Sequence, residues 1–256
     1  MAARGWEEVG RSDAPSWYLD PLVAAQKSLL HRELAGRWTA GLEVRSALKT
    51  DLFEEAFGND YFFPDLLAGV ALTGIDVSSS TAARAARRFV RLHAVVADVR
   101  RLGLADASFD LVISNSTLDH FETQEEFVAS LREIVRVLRP GGRLILTLDN
   151  PHNPLYHALK LLCRLKMAPF PLGYTASMET SASLLGELGL RVREREWLIH
   201  NPRLISTAMF WMMRMILGRH ADRMIGAALA LFARLGQLPT RRFTGCFLAI
   251  YAEKPE

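Results

Sequence analysis

Several polar residues stand where apolar runs end, and their types suit ligand chemistry. Asp76 closes the run 70–76 and Asp98 closes the run 93–98. Asn115 and His120 follow the run 110–114, and Asp149-Asn150-Pro151-His152 follows 144–148. A carboxylate at the open end of a strand can accept two hydrogen bonds from a sugar diol. An imidazole there can take a proton from an acceptor group. Each position also has a plainer reading, since Asp76 could cap a helix and His120 could be structural.

These residues need elements to bring them together. The stretch 109–151 reads as strand, helix, strand. Residues 110–114 form a short apolar run, as a strand buried on both faces does. Thr123 and Glu126 make a capping-box pattern, and Phe127, Leu131, Ile134, Val135 and Leu138 share a helix face. Arg139-Pro140-Gly141-Gly142 stops that helix, and residues 144–148 are the next strand. Parallel strands joined this way make a right-handed crossover, and ligands bind beyond the carboxyl ends of such strands.

The run SFDLVISNSTLDHF followed by LREIVRVLRPGGRLILT resembles the second half of a class I S-adenosylmethionine-dependent methyltransferase of the type 11 kind. The resemblance covers roughly residues 43–200. It implies a three-layer α/β sandwich built on a Rossmann-like, seven-stranded, mostly parallel sheet with an antiparallel last strand. It also implies S-adenosylmethionine as cofactor, with Asp76 and Val77 at the ribose, Asp98 and Val99 at the adenine, and Asn115 beside them. His120 is the first candidate for a catalytic base and His152 the second. No metal is expected.

The chain departs from the family at its first turn. A strand at 42–50 should lead into a glycine-rich loop whose bare backbone admits the cofactor. The chain instead has Asp51-Leu52-Phe53-Glu54-Glu55, with no G-x-G. Asp51 and Glu54 form a helix-capping pattern, and Asp51 could hold the cofactor's ammonium group. Two rivals to methyl transfer follow. One is a non-catalytic binding protein that has lost the glycine turn. The other is a nucleotide-dependent reductase, which the lack of G-x-G-x-x-G and of a Tyr-x-x-x-Lys pair disfavours.

The remaining segments bound the reading. At 256 residues, half of them hydrophobic, the chain can bury a large core. A net charge of +3 is too mild to argue for nucleic acid. Two distant cysteines, Cys163 and Cys246, fit buried thiols in a reducing, cytoplasmic setting. Residues 1–41 read as a loose arm and a cap helix starting at Asp20-Pro21, and 42–256 as the α/β domain. Residues 201–242 are a basic, apolar, helical insertion. They hold five of the eight methionines and seven arginines against one aspartate. This segment could pack on the sheet, cover a small or lipid-like acceptor, or contact a membrane peripherally.

Overall fold

The computed structural model describes residues 2–11, 20–58, 67, 69–165 and 172–256. Seven strands form one sheet: β1 (Ser46–Lys49), β2 (Ala71–Asp76), β3 (Leu92–Val96), β4 (Phe109–Asn115), β5 (Leu138–Asp149), β6 (Arg191–Leu198) and β7 (Phe247–Glu253). Their order is β3-β2-β1-β4-β5-β7-β6. Strands β1 to β5 pair in parallel, and β7 runs antiparallel between β5 and β6.

Period-two alternation sends neighbouring strand residues to opposite faces. Ala47, Leu111, Ile113, Ile145 and Ala249 join one core beneath helix α2 (Pro21–Thr39), where Leu34 and Trp38 are buried. Leu48, Val112, Leu146 and Leu248 join the other, beneath α5 (Gln124–Val137) and α7 (Met178–Glu187). The expected three-layer sandwich is therefore present, and its central strands are apolar because both faces are covered.

Local signals set the helix starts. The Asp20 side chain accepts from Leu22 N at the head of α2. Ser78 accepts from Thr81 N at the head of α4 (Ser79–Arg88), and Thr123 from Glu126 N at the head of α5. The expected capping box is half-formed, because the Glu126 carboxylate takes Glu122 N instead of returning to Thr123. The helix stop falls at Val137, and Arg139–Gly142 opens β5 rather than forming a free turn. Gly141 has a φ of 75°, a conformation that favours glycine, and its N–H donates to the Lys254 carbonyl.

Three expectations shift. The loose arm at the start contains a helix, α1 (Ala2–Arg11), packed on α4; residues 12–19 lie outside the described residues. The third strand ends at Val96, because the Asp98 carboxylate turns back to accept from Arg100 N. The short helix α3 (Phe53–Phe57) begins after Leu52 without a side-chain cap, although Asp51 accepts weakly from Phe53 N at 3.3 Å. Beyond β5 come α6 (Pro154–Arg164), α7 and β6. The 201–242 segment then folds as α8 (Arg203–Leu217) and α9 (Ala221–Ala233), with single 3-10 turns after each; the short α10 (Arg241–Thr244) leads into β7.

Candidate active site

The carboxyl ends of β2, β1 and β4 form one edge, where ligands of open α/β sheets bind. Helix α1 lies across this edge. Its Trp6 meets the His120 ring edge-on at 4.9 Å, after β4. Its Glu7 accepts from Ser79 Oγ, after β2. A Cβ on Gly10 would come within 2.4 Å of Ser78 Oγ, so only glycine lets α1 settle this closely. The hydroxyls of Ser78–Ser80 draw Glu7 down to a pKa of about 2.

At the β1 end the missing glycine loop is replaced by a buried ion cluster. Lys49 is 0% exposed, and its Nζ lies 2.8 Å from Glu55 Oε2 and 3.3 Å from Asp51 Oδ1. Burial alone would pull the ammonium down, but the Asp51 and Glu55 charges outweigh it and hold Lys49 protonated. Asp51 also accepts from Thr117 Oγ1, and Thr50 reaches Ser114 and Thr117. The Leu52 side chain packs flat on β2, where a Cβ on Gly74 would meet it at 2.3 Å. The Asp51 carboxylate is thus committed to Lys49, Phe53 N and Thr117.

Asp76 stands at the end of β2. Its two oxygens accept from Leu52 N at 3.1 Å and Ser78 N at 2.8 Å. Burial raises its pKa to about 6, against the lowering effect of those two N–H groups. A carboxylate has about four acceptor positions, so two remain for a diol. Val77 is half-buried beside it. After β3, Val99 is buried as an apolar wall, while Asp98 is clamped by Arg100, which donates from Nε to both oxygens at 3.0 Å. Despite partial burial, which would raise it, Arg100 keeps Asp98 below the usual carboxylate range. Asn115 Oδ1 accepts from Thr147 Oγ1, so that side chain braces β4 against β5.

The open acceptor positions of Asp76 suit a sugar diol, and Val99 offers an apolar wall beside it. Asp51, Leu52 and Phe53 follow β1 where a glycine-rich turn was expected.

A second polar cluster lies at the β4 and β5 ends, and sequence reasoning missed most of it. Asp119 is 1% exposed. Its Oδ2 accepts from Asp149 N and Ser116 Oγ, while its Oδ1 lacks a hydrogen-bond partner. Burial pushes its carboxyl up, and the neighbouring Asp149 adds to that. Arg203 Nη1 lies 2.6 Å from Asp149 Oδ1 and carries the start of α8 to this edge. Tyr156 Oη is buried without a partner, and burial, then Asp149 and Asp119, push the phenol up. The 149–153 loop is largely internal, with Asp149, Asn150 and Asn153 buried. Asn150 and Asn153 donate to the Gly245 carbonyl and pin the approach to β7. His152 is exposed on that loop. Lys49 could have been noticed as a cation inside an apolar strand; Arg203 carried no such signal.

Residues 55–146 match the family model described as a methyltransferase domain. Over 143 residues the chain is 32% identical to a probable S-adenosylmethionine-dependent methyltransferase of Mycobacterium tuberculosis (strain H37Rv), covering 55% of this chain and 47% of that protein. It is 40% identical over 77 residues to a demethylmenaquinone methyltransferase of Beutenbergia cavernae, covering 30% of this chain and 31% of that one. The aligned region thus spans less than half the length of either relative. An N-methyltransferase from Bradyrhizobium japonicum, solved with S-adenosylhomocysteine, superposes with a TM-score of 0.60 at 18% identity, over 99% of this chain and 98% of that one. Residues 55–146 of the chain are thus similar to a methyltransferase domain, and the chain shares its fold with a solved methyltransferase.

Proposed function

We propose that this protein transfers a methyl group from S-adenosylmethionine to a small or lipid-like acceptor. The observation that carries this reading is Asp76, a half-buried carboxylate held by backbone N–H groups rather than by a salt bridge at the β2 end, with acceptor capacity to spare beneath α1. The bound cofactor supplies an activated sulfonium methyl, so the protein's main task is alignment and exclusion of water. Asp76 holds the ribose, Val77 and Val99 flank the nucleoside, and Asp98 offers the rim of the adenine site. Asp51 and Asn115 shape the floor between them. Trp6 and His120 close the mouth between β2 and β4. For a hydroxyl acceptor, His120 takes the proton, with the exposed His152 the second candidate. The demethylmenaquinone relative favours a lipid-like acceptor.

The rival is a non-catalytic methyltransferase-like protein whose cofactor binding is lost with the glycine turn. It draws on Leu52, which fills the space above Gly74. Calorimetry with S-adenosylhomocysteine tests both. Binding to the intact protein, weakened at least about tenfold in Asp76→Ala, supports the assignment. No binding to the folded wild-type protein would remove it.

A further inference from the structure

The 201–242 segment buries one face and leaves the other bare. Ala221, Ile225 and Leu229 of α9 and Phe210 of α8 form a small core that packs on Leu22 and Val23 of α2. The opposite face of α8 carries the exposed side chains of Ile205, Trp211, Met212, Met215 and Ile216. Three of these, Trp211, Met215 and Ile216, are 66%, 70% and 74% exposed. On α9, Met224 and Leu231 continue the pattern. Of the fifteen large apolar side chains exposed among the described residues, nine lie in this segment, which is 42 of 256 residues. A soluble monomer rarely leaves such a concentration uncovered without a use for it.

The charge of this segment selects the occupant. Arg203 and Arg214 are committed inward, to Asp149 and to Asp20 and Asp222. Arg219, Arg223, Arg234, Arg241 and Arg242 are all exposed, and among the described residues none of the five forms a salt bridge. Exposed leucines, methionines and a tryptophan bordered by arginines suit an apolar layer roofed by anions. A second copy of this chain would bring five arginines against five, so the charge disfavours self-association. Neither helix can cross a bilayer: none of the described helices is long and apolar enough.

We infer that α8 and α9 form a docking surface that seats the protein on an anionic lipid membrane, with the exposed apolar stripe in the interface and the arginines among the head groups. The Arg203–Asp149 pair ties the head of α8 to the β5 end, so the docked face begins at the rim of the candidate site. Docking does not depend on methyl donation, and vesicle binding is measured without cofactor.

The experiment uses the full chain and sedimentation with phosphatidylcholine vesicles, with and without phosphatidylglycerol. Binding should need phosphatidylglycerol and should weaken in high salt, because head-group attraction is screened. Two double variants change only exposed residues: Trp211→Ser/Met215→Ser and Arg219→Glu/Arg223→Glu. Each should lower the vesicle partition coefficient by at least about tenfold while retaining the wild-type melting curve. Failure of the folded wild-type protein to sediment with anionic vesicles would overturn the inference. So would a wild-type dimer, seen by light scattering, that Trp211→Ser/Met215→Ser dissolves, because the face would then belong to a second copy.

Discussion

Asp76 joins binding and stability in one side chain. Its folded pKa of about 6 lies above the ordinary aspartate value of 3.8, so the folded state holds this proton more tightly than the unfolded state does. The stability this group contributes is present below the unfolded value. It is lost as pH rises from about 4 to about 6. A gap of about two between the folded and unfolded pKa corresponds to roughly 3 kcal/mol, part of which is the cost of keeping a charged site ready for a diol. Asp76→Asn removes the partly desolvated charge but leaves one of the Leu52 and Ser78 N–H groups without its acceptor, at about 1 kcal/mol. The ligand-free variant should therefore gain roughly 1–2 kcal/mol at pH 7.5, raising Tm by about 2–6 °C, and show no gain at pH 4. Equal destabilisation at both pH values would mean that the carboxylate is not held at a cost.

At the scale of elements, the first turn is a rebuilt joint. A glycine-rich turn was expected after β1; here Lys49 at the strand end grips Glu55 inside α3. A buried pair is not in itself strong stabilisation, since desolvation offsets the attraction. Breaking it is costly, because the survivor is left charged and alone. Lys49→Met should cost on the order of 3–5 kcal/mol, and the double change Lys49→Met/Glu55→Leu should recover most of that. Thermal melts of the three proteins give the coupling directly. If the double variant is as unstable as the single, the pair does not act as a unit. Cofactor affinity in the double variant would show whether the joint also positions Asp51.

Across the whole molecule, the sheet is closed by residues far apart in sequence. Strand β7 pairs with β5 from Arg143↔Glu253 to Asp149↔Phe247, and with β6 on its other edge. Its side chains also enter both cores: Ala249 joins one face, and Leu248 and Ile250 the other. A chain ending after Gly245 would leave β5 and β6 as separate, uncovered edges with an unfilled groove between them. It should show no cooperative thermal transition and should aggregate on expression. A truncated protein with a wild-type-like melt would place β7 outside the cooperative core.

Much of the frame was legible locally. The continuous apolar runs ending in Asp76 and Asn115, the serine and threonine caps, and the stop before Gly141-Gly142 are encoded within a few residues, by backbone sterics and capping hydrogen bonds. So was the basic, apolar character of 201–242. What those signals could not decide was which polar groups meet. Lys49 reads as an interruption in a strand until folding removes it from water and leaves Glu55 and Asp51 as its solvation. Asp149 and Arg203 stand 54 positions apart, and α1 reaches His120 across more than a hundred. The exposed stripe of α8 likewise became visible only once Phe210 had been claimed by α2. Pairings of this kind depend on burial, which makes an unpartnered charge costly, and burial is a property of the packed chain rather than of any stretch of it.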